Sequence, residues 1–134
     1  MADAVSTTTI EDGPRQLVVQ LTNLSDSTGE AKVTKIDVSA LASDSLGNAC
    51  NEVRIQEIWA QVYGFDGVQL WYDADTDVVA FNAGVGWTYQ DFTNVGGLKM
   101  YGTNATGDVL LSTLGTEASG DAYQIVIRAV KYYA

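Results

Sequence analysis

The chain contains no histidine, one cysteine, one proline and seven lysines and arginines among 134 residues. Without histidine there is no Ser-His-Asp or Cys-His catalysis, and most zinc sites lose their usual ligands. A single cysteine, Cys50, forms no intrachain disulfide, so the fold must rest on packing. Its setting, "NACNEV", has no basic cluster to lower a thiol pKa, and reads as a buried, inert position. The cations Arg15, Lys32, Lys35, Arg54, Lys99, Arg128 and Lys131 are scattered against 17 acidic residues, for a net charge of −10. A phosphate backbone needs clustered Lys and Arg, and an anionic membrane surface repels such a chain, so neither partner is expected. No apolar run approaches the ~20 residues of a membrane span. The start "MADAVSTTTIEDGP" has neither a basic beginning nor an apolar centre, so no secretion signal is expected. The sequons at Asn23 and Asn104 then read as coincidence. Neither a P-loop nor a G-x-S-x-G motif occurs, and no cofactor is expected.

What is present is strand chemistry. Val, Ile, Thr and Tyr are abundant, and 13 glycines are spread along a chain that is 46% apolar. Residues 1–14 are polar, Thr-rich and without periodicity, and read as an extended N-terminal arm ending at Pro14. Residues 15–134 read as a single domain. Strand signals cover 15–21, 31–38, 51–63, 67–73, 77–81, 86–92, 108–115 and 122–133. Residues 39–49 read as a long loop with a short helical piece, 93–107 as a Gly- and Asn-rich loop, and "TEASGD" as a turn. In "NEVRIQEIWAQVY", Val53 and Ile55 share a face with Ile58, Ala60 and Val62 only if the phase slips at Gln56–Glu57. A period-2 strand needs a β-bulge or bend there; a helix is the alternative explanation of the slip, against which the β-branched residues and Tyr63–Gly64 speak. On the last strand Tyr123, Ile125, Ile127 and Ala129 should face the core. About eight strands with turn signals every 8–12 residues imply an all-β, two-sheet sandwich, jelly-roll-like, with the arm in addition.

"DADTD" places Asp73, Asp75 and Asp77 at alternate positions between two apolar runs. A calcium loop starting at Asp73 would need Gly at its sixth position and Glu at its twelfth. Val78 and Gly84 stand there, so an EF-hand is rejected. The triplet reads as a solvated corner between strands, with no metal and no catalytic residue assigned, and a calcium site of another kind stands as the alternative. Trp59, Trp71 and Trp87, with seven tyrosines, leave carbohydrate binding as an alternative. Exposure of Trp71, Trp87 and Tyr89 in one groove would favour it, and their burial would favour a scaffold.

The order of the pieces "DGPRQLVVQLTNLSDSTGEAKVTKIDVSAL", "VRIQEIW", "VQLWYDADTDV", "DFTNVGGL", "TGDVLLSTLG" and "AYQIVIRAVK", over residues 12 to 131, resembles small virion proteins of tailed bacteriophages, the capsid decoration or cement class. The resemblance implies a non-enzymatic, β-rich structural protein on the outer capsid surface. Its implied partners are the major capsid protein and neighbouring copies of itself, in an oligomeric arrangement on the shell. On such a shell, Val5, Thr7, Thr8, Thr9 and Ile10 are the expected partner-binding residues. Extended Thr-rich backbone can add to a neighbour's sheet edge while Val5 and Ile10 fill small pockets. A carbohydrate-binding β-sandwich, or a tail or vertex role, stands as the alternative.

Overall fold

A computed structural model describes residues 4–26, 29–100, 102–115 and 119–133. They form nine strands: β1 (Ala4–Asp12), β2 (Gln16–Asp26), β3 (Val33–Ile36), β4 (Cys50–Tyr63), β5 (Gly67–Tyr72), β6 (Val78–Ala83), β7 (Gly86–Asp91), β8 (Val109–Leu114) and β9 (Ser119–Tyr133). The strands make two antiparallel sheets, ordered β1-β2-β9-β4-β7 and β3-β8-β5-β6. All eight expected strands are present, and the inward faces of both sheets meet in one core.

The pairings are nested. β5 pairs with β6, β4 with β7, β3 with β8 and β2 with β9. The chain from β2 to β9 is thus a doubled ribbon whose closed end is the corner at residues 73–77, rolled so that both layers bury one face. Side-chain alternation supplies the buried face. Leu17, Val19 and Leu21 point inward from β2, and Tyr123, Ile125, Ile127 and Ala129 from β9. Val68, Leu70 and Tyr72 of β5 and Val109 and Leu111 of β8 oppose them.

The phase slip in β4 is a bulge. Ile55 faces Ala129 and Glu57 faces Arg128, which leaves Gln56 as the extra residue. The bulge has a use. Its main-chain carbonyls accept from the loop that follows β7: Phe92 N–H donates to Gln56 O at 2.7 Å and Leu98 N–H to Ile55 O at 2.9 Å. That loop turns through Gly97 at φ +89°, where a Cβ would lie 2.5 Å from Gln56 Nε2. Only glycine combines the left-handed backbone with that approach. The short helical piece expected within 39–49 is a 3-10 turn at Val38–Ala40, capped by the Asp37 carboxylate on Ser39 N–H. Residues 116–118 of "TEASGD" lie outside the described residues, and Ser119 already belongs to β9.

The arm expected over residues 1–14 is corrected. Ala4–Asp12 is the edge strand β1, paired with β2 from Ala4↔Leu24 to Asp12↔Leu17, while Met1–Asp3 lie outside the described residues. The turn at 13–15 folds it back, with Gly13 N–H donating to Gln16 O at 3.0 Å. No alternation marked β1 because neither of its faces is covered: every described side chain from Val5 to Glu11 is exposed.

Candidate interaction surfaces

Three surfaces carry the residues that the sequence singles out. The first is β1. Val5, Thr7 and Thr9 stand opposite Asn23, Leu21 and Val19, so they lie on the core side of the sheet but beyond the reach of the second layer. Thr8 lies on the other side with Ser6, their hydroxyls 3.4 Å apart. Ile10 is the extra residue of a second bulge, between Thr9 and Glu11, and is 57% exposed. All five expected partner-binding residues therefore sit on one edge strand, with Val5 and Ile10 projecting into solvent. No described strand pairs with the outer side of β1. An edge of this kind offers a row of main-chain donors and acceptors to another chain.

Asp12 anchors the far end of β1 to the core. Its carboxylate accepts from Lys131 Nζ at 2.5 Å and from Ala42 N–H at 2.8 Å. Lys131 projects inward from β9, and its side chain is fully buried. Its other two protons go to Gly13 O at 2.9 Å and Ala42 O at 2.7 Å, so all three donors are used. Burial pulls the ammonium pKa down, but the hydrogen bond to Asp12 helps to outweigh it and the net shift is upward. A second buried pair, Lys35–Glu30 at 2.5 Å, closes the inner side near β3, where Glu30 also accepts from Asn23 Nδ2 at 2.8 Å and from the Tyr123 hydroxyl.

The second surface is the corner. It is a turn between β5 and β6, as expected, but it is pinned as well as solvated. Asp73 accepts from Thr106 Oγ1 at 2.9 Å, Asp75 from Asn104 Nδ2 at 2.8 Å, and Asp77 from Ala74 N–H at 3.1 Å. Lys32 Nζ lies 3.3 Å from Asp77. The Ala74 amide and then Lys32 hold the Asp77 carboxyl below its ordinary pKa. Each carboxylate is turned to a different partner, and the corner is stapled to the loop before β8. Cys50 is buried, and burial pushes its thiol pKa up, which suppresses the thiolate.

The third surface is the outer face of the five-stranded sheet. Trp87 is 67% exposed and Tyr89 is 43% exposed there, both on β7. Trp71 is not with them: it lies on β5 of the other sheet, with Lys32 Nζ 4.4 Å from its ring centre. Trp59 takes its place, its ring 5.5 Å from that of Tyr89. The Tyr89 hydroxyl donates to Glu57 at 2.6 Å, and Arg128 donates to the other oxygen of Glu57 at 2.7 Å. The Tyr89 and Arg128 hydrogen bonds lower the Glu57 pKa, and the same contact pushes the Tyr89 phenol up to about 12. Tyr89 is thereby held as a neutral donor and Glu57 as a carboxylate.

No protein-family model, curated protein or solved structure matches the chain.

Proposed function

We propose that this protein is a capsid decoration protein, binding the outer surface of a tailed-phage head through the free edge of β1. The fold is read as a jelly roll, since nested pairing of β2 to β9 is the pattern of a rolled ribbon, with β1 added beside β2. The observation that carries the reading is β1 itself. It is a nine-residue strand whose side chains from Val5 to Glu11 are exposed, with no described strand on the outer side of its backbone. A strand that adds so little to the interior is suited to pairing outside it. The motif order from residue 12 to 131 supplies the phage head as the setting. Addition of β1 to a sheet edge of the major capsid protein, or of a neighbouring copy, would use main-chain hydrogen bonds for affinity and Val5 and Ile10 for fit. Repeated over a shell, several such contacts must fail together, which resists expansion from within.

The test is co-sedimentation with phage heads stripped of this protein. The full chain is expected to bind. A chain lacking residues 2–10, which keeps Asp12, is expected to remain folded and to lose most binding. Thr7→Lys with Thr9→Lys should weaken binding in the same assay, because lysines on an edge oppose strand addition. Failure of the full chain to bind heads refutes the decoration role. Undiminished binding by the truncated chain moves the contact away from β1.

A further inference from the structure

The outer face of the five-stranded sheet has a feature that strand pairing at β1 does not use. The register sets Trp87 opposite Gln61, Gln61 opposite Gln124, and Gln124 opposite Thr22. One row therefore crosses four strands, β7, β4, β9 and β2, at steps of about 4.8 Å. A shallow cleft of about 160 Å³ lies at its aromatic end, lined by Trp59, Gln61, Trp87, Gln124 and Val126. A wider one of about 490 Å³ continues it toward Thr22 and shares Gln61 and Gln124. The protein carries 17 acidic and 7 basic residues, yet among the described residues neither cleft is lined by a charged side chain. Arg128, close by on β9, is occupied by Glu57.

We infer that this groove binds a neutral oligosaccharide. A pyranose has an apolar C–H face and a rim of hydroxyls that each donate and accept. An exposed indole offers a flat apolar surface to the first. Glutamine amides offer both a donor and an acceptor to the second. The absence of lining charge removes the attraction that an anionic glycan or a charged peptide would need, and the acidic chain repels anions at longer range. The step from strand to strand along the row is close to the length of one sugar unit, so consecutive units would meet Trp87, Gln61, Gln124 and Thr22 in turn. The Trp59–Tyr89 contact and the Tyr89–Glu57–Arg128 hydrogen bonds brace the aromatic end before any ligand arrives.

The full chain should be titrated with cellohexaose, chitohexaose, maltohexaose and xylohexaose, with heparin as the anionic comparison, following tryptophan fluorescence and heat. At least one neutral hexasaccharide is expected to bind saturably, and heparin is not. Trp87→Ala and Gln61→Ala should each weaken that binding about tenfold or more, equivalent to at least ~1.4 kcal/mol. Trp71→Phe, on the other sheet, should leave it unchanged. Circular dichroism and melting curves will show that the variants are folded. Loss of binding only in unfolded variants, binding that survives Trp87→Ala, a preference for heparin, or no binding to any hexasaccharide overturns the inference. The head co-sedimentation assay keeps the two readings apart. If Trp87→Ala abolishes attachment to heads and no sugar binds, the face is a protein interface and the saccharide inference fails. If a sugar binds while the full chain ignores heads, the decoration reading fails and the groove stands.

Discussion

β1 and β9 both lie against β2, one on each side, and both run antiparallel to it along most of its length. Beyond that they differ in nearly every respect. β9 is covered on both edges and sends Tyr123, Ile125, Ile127, Ala129 and Lys131 into the interior. β1 has no described strand on its outer edge and no described hydrophobic side chain in the core. Hydrogen-bonded pairing is common to the two strands, so the difference in burial is what should separate their contributions to stability. Net hydrogen-bond contributions of ~0.5–1.5 kcal/mol are close to the ~1–2 kcal/mol of backbone entropy lost per residue, and only apolar burial tips the balance firmly.

The largest effect should come from β9. Ile127→Ala empties a fully buried site and is expected to lower unfolding free energy by ~2–5 kcal/mol in a denaturant titration. A variant that unfolds at the parent's midpoint would erase the contrast between the strands. Next comes the one point where β1 does reach the core. Asp12→Ala would strand the Lys131 ammonium, and a loss of about 2 kcal/mol is expected, below the range for fully buried pairs because Asp12 is partly exposed. The pH dependence has a definite sign. The Lys131 pKa is raised in the folded state above its ordinary 10.5, so its contribution is complete below that value and is lost as pH rises through the folded pKa. Alkaline melts of the parent should therefore fall more steeply above about pH 10.5 than those of Lys131→Met.

Removing residues 2–10 should matter less than either substitution, with the unfolding free energy expected to stay within about 1 kcal/mol of the parent. Calorimetry that finds the truncated chain unfolded would make β1 an intrinsic part of the sandwich and close the comparison from the other side. The smallest effect belongs to the half-buried Glu57. Its pKa is lowered by Tyr89 and Arg128, so its stabilising contribution is present above its ordinary 4.5 and lost as pH falls through the folded value. Glu57→Gln should flatten the acid limb of the melting curve slightly, and a larger change than that of Asp12→Ala would show the aromatic face to be structural.

Period-2 alternation made β9 and most of β4 legible from residues alone, including the bulge, because a covered face writes its pattern into the side chains. The same reading extended two residues beyond Ala129 puts Lys131 inside, where a carboxylate, two carbonyls and Tyr133 make it tolerable. Likewise, once Ile58, Ala60 and Val62 are inside, Trp59 and Gln61 must be outside. The aromatic face was thus half written in the slip at Gln56–Glu57, although the grouping of Trp71 with Trp87 and Tyr89 did not survive the assignment of β5 to the other sheet. β1 left no such trace, since a strand bare on both faces has no reason to alternate. Nor does any local signal report which distant strand lies beside which, and the row from Trp87 to Thr22 exists only through those pairings.

The nested ribbon also bears on the order of events during synthesis. Leu17 is made 112 residues before its neighbour Ala129, yet they are adjacent in the sheet. β2 and β4 are both neighbours of β9, so each keeps an unpaired edge until β9 leaves the ribosome. The nascent chain must hold apolar strands in waiting until β9 is made, a state open to wrong association. Chain closure over such separations is slow, and refolding from denaturant is expected on the millisecond-to-second scale of sandwiches dominated by distant pairing. A ribosome-bound chain ending before β9 should remain protease-sensitive along its whole length, and a protected core in that chain would mean that the inner turns of the roll can form without the strand that closes it.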